Sequence, residues 1–185
     1  VHSEDESVIK NNLEKYIKIY GNDIPFKFHP IIRSEEACLR STIKIIELAK
    51  KCNSRLHVFH LSTKVESELF ENINLGNKKI TSEVCIHHLT FNDSSYEKKG
   101  SLIKWNPAIK TKLDQDALWD ALSSDKIDII ASDHAPHTIE EKQRKYLECP
   151  SGGPLVQHSL IVMFEHFLNK RISLEKIVKK DRKIK

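Results

Sequence analysis

The sequence predicts an α/β fold with parallel strands, on three observations. Short apolar runs alternate with stretches of helical periodicity along the 185 residues, as they do when strands are joined by crossover helices. No internal repeat and no linker rich in Gly, Ser or Pro interrupts that alternation. Three segments end in ionisable residues: "VFH" in His60, "VCIHH" in His87 and His88, and "IIASD" in Asp133. Parallel sheets gather their chemistry at the C-terminal ends of their strands.

The elements follow in order. "SEEACLRSTIKIIELAKK" sets Ala37, Ile43, Ile46, Leu48 and Ala49 at helical spacing behind Ser34, a suitable N-cap. "RLHVFHLS" then reads as a strand over 56–61, and "KVESELFENINLG" as a helix closed by Gly76. "KITSEVCIHHL" is the next strand, over 80–86, and "KWNPAIK" is a short segment broken by Pro107. "DQDALWDALSSD" is helical, and "IDIIASDHAPH" supplies a strand over 127–132. "PLVQHSLIVMFEHFLN" and "SLEKIVKK" read as the last helices. Ile129, Ile130 and Ala131 suit a strand buried on both faces. Asp133, His134 and His137 crowd its end, and charge in such a place needs a metal ion, a bound substrate or a salt bridge.

Composition narrows the function. With 39% hydrophobic and 30% charged residues the chain can bury a core as one domain, here expected over 1–180 with an irregular basic tail over 181–185. The net charge of +4 is spread along the chain, and only "KKDRKIK" is dense in Lys and Arg. Aromatics, at 7%, do not interleave with Arg, so no nucleic-acid partner is expected. Cys38, Cys52, Cys85 and Cys149 lack any C-x-x-C spacing and read as reduced thiols of a cytoplasmic protein. No apolar run is long enough to span a membrane, and no signal peptide is visible. Ten histidines in a chain of this size point to metal or acid–base chemistry.

Imidazole and carboxylate at strand ends are the ligands of Zn²⁺ and similar ions. In two-metal sites an activated hydroxide attacks a polarised carbonyl, and an Asp at the metal can serve as general base. A Ser nucleophile lacks its G-x-S-x-G elbow, and neither a P-loop nor a G-x-G-x-x-G is present.

The stretch "SDHAPHTIEEK" (132–142) resembles the signature of the dihydroorotases, members of the amidohydrolase superfamily. "VHSED", "HLSTK", "EVCIHHL", "KWNPAIK" and "PSGGPLVQHSL" resemble the same family in the same order, so the likeness runs to about residue 180. It implies a partial TIM-type (β/α)₈ barrel, about strands 5–8 with their helices, and the reversible cyclisation of N-carbamoyl-L-aspartate to dihydroorotate. By motif, His2, His60 and Asp133 correspond to metal ligands, and Asp133 also to the general base. Asn106, His137, Pro150 and Gly152 correspond to substrate-binding positions, His137 to the one that holds the substrate carboxylate. The implied cofactor is Zn²⁺, two ions in an intact enzyme, and the implied partners are the small-molecule substrate and a second copy or a missing N-terminal half.

The departures shape the rest. No H-x-H occurs in these residues, and the bridging ligand of the fourth strand has no candidate. The opening on Val1 and the break in pattern after "SLEKIVKK" read as a piece of a longer polypeptide, inactive alone. The alternatives are a hydantoinase- or allantoinase-type cyclic amidase and a non-catalytic remnant or scaffold subunit.

Other conspicuous residues carry plainer expectations. His87 and His88 are expected to orient neighbours rather than bind the metal. His29 reads as a loop histidine, and His57 as facing the helices. Arg33 reads as a partner of a carboxylate or of the acidic "SEE" that follows it, and Trp105 and Trp119 as packing residues.

Overall fold

The structure, a computed structural model, describes residues 1–181. Residues 182–185 of the expected basic tail lie outside the described residues. Helix α1 (Glu6–Tyr20) starts at Asp5, whose carboxylate accepts from Ser7 N and Val8 N, and ends at Gly21. Short α2 (His29–Ile32) precedes α3 (Glu35–Lys51), capped as expected by Ser34. Strand β1 (Leu56–Val58) and short α4 (Lys64–Ser67) lead to β2 (Ile80–Cys85). Helices α5 (Ile86–Thr90), α6 (Tyr96–Lys99) and α7 (Lys112–Ser123) separate β2 from β3 (Ile129–Ala131). Helices α8 (Ile139–Lys142), α9 (Ser159–Leu168) and α10 (Leu174–Asp181) follow.

The three strands pair in parallel in the order β1-β2-β3, with Leu56 opposite Ile80 and Cys85 opposite Ala131. Val1 lies against the free side of β1: its amino group donates to His57 O, and Phe59 N donates to Val1 O. Side chains alternate across the sheet. Leu56, Val58, Val84 and Ile130 join Ile46 and Ala49 of α3, Leu118 and Leu122 of α7, Met163 of α9 and Ile177 of α10 in one core. His57, Thr81 and Glu83 stand on the other face.

Several expected elements are corrected. The first strand stops at Val58, because His60 has a left-handed φ of 34° that breaks the extended run. The helix expected up to Gly76 is only Lys64–Ser67; Gly76 instead sits in a turn fastened by its N–H to Asn74 Oδ1. The second strand stops at Cys85, and 86–90 is helical. Ile86 and Leu89, three residues apart, are buried in the same core, whereas alternation in a strand would send them to opposite faces. His57 faces away from the helices, with Nδ1 2.8 Å from Thr81 Oγ1 and Nε2 3.1 Å from Glu83 Oε2. Helix α1 was not expected, although Asp5 and Gly21 mark its two ends. Among the described residues no helix is long and apolar enough to cross a membrane.

Candidate metal and substrate site

Two of the three proposed ligands meet. His2 Nδ1 stands 3.0 Å from His60 Nε2, although 58 residues separate them. The sequence brings them together because Val1 pairs beside β1, so His2 emerges at the end of β1 where His60 turns. Behind His2, its Nε2 lies 2.9 Å from the buried Glu4 Oε2. Glu4 also accepts from Arg33, at 2.6 Å from Nη2 and 3.0 Å from Nε. Arg33 therefore pairs with Glu4 of "VHSED", not with the "SEE" segment. Burial would raise the Glu4 pKa, but hydrogen bonds from His2 and Arg33 and the Arg33 charge overcome it and hold it near about 2.

His2 Nε2 donates to Glu4, and its Nδ1 shares one hydrogen bond with His60 Nε2. His60 is buried and kept neutral, its pKa lowered to about 4 by burial first and by His2 second. Among the described residues its Nδ1 has no partner. Two imidazoles this close, one of them backed by a carboxylate, have the donor chemistry of ligands for a Zn²⁺-type ion, which would replace the hydrogen bond between them.

Asp133 stands apart. It follows β3 with a left-handed φ of 47°, and its side chain reaches solvent. Partial burial, then the Glu83 carboxylate, raise its pKa, while His2 opposes them. Among the described residues, His2, His60 and Asp133 do not gather their donor atoms within 4.8 Å. His60 and Asp133 both adopt left-handed φ values uncommon outside glycine, as do Asn53, Asp125 and Lys170.

The proposed substrate residues form one unit. Asn106, whose peptide bond to Pro107 is cis, accepts at Oδ1 from Ser151 Oγ at 3.1 Å. His137 Nε2 donates to Ser151 O at 3.2 Å, and its Nδ1 is 3.5 Å from Glu141 Oε2. Gly152 N donates to Lys104 O at 2.9 Å. At a φ of 130°, Gly152 would place an added Cβ 2.6 Å from Ala135 Cβ and from Ala135 O, so only glycine fits. Pro150 O and Gly152 O both accept from the buried Lys142 Nζ, at 2.9 and 3.0 Å.

Sequence reasoning passed over Glu4, Lys104 and Lys142. Glu4 carried a signal, since an acid two residues after His2 in an extended segment lies on the same side as the histidine. The two lysines carried none; their ammonium groups serve backbone carbonyls that only the fold brings near. His29 is a buried histidine rather than a loop residue, with Nδ1 2.7 Å from Tyr146 Oη and Nε2 2.7 Å from Trp105 O. Trp105 and Trp119 are buried as expected.

No protein-family model matches the chain. The dihydroorotase of Methanosphaera stadtmanae is 31% identical over 179 residues, which are 97% of this chain and 41% of that protein. The dihydroorotase of Deinococcus radiodurans is 36% identical over 133 residues, 72% of this chain and 32% of that protein. The chain thus spans well under half the length of the curated relatives it matches. Among solved structures, dihydropyrimidinase from Brevibacillus agri superposes with a TM-score of 0.86 at 25% identity, over 97% of this chain and 40% of that one. The fold of the Saccharomyces cerevisiae dihydroorotase bound to 5-fluoroorotic acid also matches, with a TM-score of 0.68 at 19% identity, over 79% of this chain and 41% of that one.

Proposed function

The chain is homologous to a stretch of the dihydroorotases, and from that premise we propose that it carries part of the centre that interconverts N-carbamoyl-L-aspartate and dihydroorotate. The observation that supports this most is the His2–His60 contact at 3.0 Å with Glu4 behind it. In this reading the chain is about strands 5–8 of the barrel: the Val1 segment, β1, β2 and β3. Zn²⁺ between the imidazoles would polarise the ring amide and lower the pKa of a water. Asp133, its pKa raised, takes the proton from the attacking water and returns it to the leaving nitrogen. His137 Nε2–H donates a hydrogen bond to the substrate carboxylate in exchange for its bond to Ser151 O, and Asn106 bonds the ring. Lys142 holds the Pro150–Gly152 loop in place over that ring. The setting of the reaction is the cytoplasm, its partner a small molecule, and a full centre needs ligands beyond these residues.

A second reading rests on the fold. The match to dihydropyrimidinase is as complete as the chain allows, so a hydantoin-type ring is the rival substrate. The Zn²⁺ test comes first. Competition against a chromophoric chelator should show weak binding, lost in His60→Ala and reduced about 10–100-fold in Glu4→Gln, the scale of an outer partner. Equal affinity in all three proteins would contradict the assignment.

A further inference from the structure

At the end of β2 stands a second group of donors that the proposed centre does not use. One ligand atom from each of Cys85, His87 and His88 lies within 4.8 Å of the other two, and all three residues are buried. The state of each nitrogen can be worked out. His88 Nε2 lies 3.1 Å from Pro107 O, and a carbonyl only accepts, so Nε2 carries the proton and Nδ1 is a bare lone pair. Among the described residues that Nδ1 has no partner, nor has either nitrogen of His87. Burial keeps both rings neutral. The His87 ring stacks on Trp105, centroids 4.5 Å apart and planes 12° from parallel, so it is held in place. Buried polar atoms without partners cost about 1–3 kcal/mol each. Three such nitrogens beside a thiol point to something bound.

We propose that Cys85, His87 and His88 form a site for a soft monovalent d¹⁰ cation, Cu(I) in chemical class, held by one thiolate and two imidazoles. Softness selects for it, since thiolate favours Cu(I) and Zn²⁺ over harder ions. Charge then separates the two. Cu(I) displaces the Cys85 proton to solvent, forms the S–Cu bond and leaves a site of zero net charge, which burial tolerates. Zn²⁺ would leave a buried positive charge and calls for a fourth ligand. Among the described residues no fourth His, Cys, Asp or Glu joins the cluster. The Pro107 carbonyl behind His88 is the outer partner such a ligand commonly has.

The test uses the whole chain with Cys52→Ser as background, because Cys52 is the exposed thiol. Cu(I) is titrated anaerobically against bicinchoninate. One equivalent should bind, with affinity about 100-fold lower or more in Cys85→Ser and His88→Ala, beyond the 10–100-fold of an outer partner. Binding should persist in His2→Ala/His60→Ala, which removes the proposed Zn²⁺ ligands and separates this inference from that reading. X-ray absorption on the copper-loaded Cys52→Ser protein, which needs no ligand variant to fold, should count one sulfur and two nitrogen neighbours. Failure to bind, binding unchanged in Cys85→Ser, binding lost with His2 and His60, or another ligand count would overturn the proposal.

Discussion

At the N-terminal ends of the strands, Lys78 Nζ and Asp128 Oδ1 lie buried 2.9 Å apart, whereas at the C-terminal ends the buried Nδ1 atoms of His60, His87 and His88 meet nothing. The first end is closed in detail. Asp128 Oδ2 accepts from Ser82 N, Lys78 donates to Lys126 O, and Lys180 bonds Ile127 O and pairs with Asp125 at 2.8 Å. Among the described residues only Ser82 Oγ is left over there. The second end leaves the Nδ1 atoms of His60, His87 and His88 free among the described residues, although left-handed backbone occurs at both ends, at Asp125 as at His60 and Asp133. Partners within the chain satisfy one end, whereas the other keeps buried nitrogens unpaired among the described residues. In parallel α/β folds that is the division between the stabilising and the chemical face.

The comparison breaks most visibly at the closed end. Asp128→Ala strands a buried lysine and should cost about 3–5 kcal/mol, the usual penalty for opening a buried pair. Urea denaturation reads it, and a loss under about 1 kcal/mol would show that the pair is not buried in solution.

Acid should act next, and at the open end. His60 and His88 have pKa values lowered to about 4 and about 3, mainly by burial, as does His29 at about 3 elsewhere in the core. The unfolded chain binds protons to these rings below about 6.5 while the folded chain does not. Stability is therefore complete above about 6.5 and falls with pH down to about 4, by about 1.4 kcal/mol per pH unit for each ring. Glu4, held near about 2, adds its own loss only below about 4.5. Urea midpoints between pH 7 and 5 test the slope; a flat profile would mean the rings are not buried.

Gly152→Ala should cost about 1–3 kcal/mol through its strained φ and its clash with Ala135. The smallest effect belongs to Asp133→Asn. An exposed carboxylate whose charge is disfavoured should change stability by no more than about 0.5 kcal/mol. A large loss there would mean that Asp133 is structural and that both ends of the sheet are closed.

Much of this was legible in the sequence, and the limits are physical. Parallel strands and the α3 and α7 helices followed from alternation and periodicity, which local residues determine. The end of β2 was misread because "VCIHHL" is apolar enough for either a strand or a buried helix, and the core taking Ile86 and Leu89 together decided for the helix. His2 was named as a ligand only through motif resemblance; its contact with His60 depends on Val1 pairing with β1. The Glu4–Arg33 bond and the lysine staples at Lys104 and Lys142 needed tertiary structure, because no short-range pattern specifies their partners.

The central claim is that these residues hold one share of a dihydroorotase centre, with its imidazoles set and its remaining ligands supplied from elsewhere. The most direct measurement is steady-state hydrolysis of dihydroorotate by the purified chain with Zn²⁺, with and without a separately expressed polypeptide carrying the H-x-H half of a dihydroorotase barrel, and with hydantoin in parallel. The account predicts no turnover by the chain alone. With the added half it predicts turnover of dihydroorotate that Asp133→Ala abolishes and His137→Ala weakens chiefly through KM. Turnover by the chain alone at about 1 s⁻¹ or more, or undiminished turnover by the Asp133→Ala pair of halves, would contradict it.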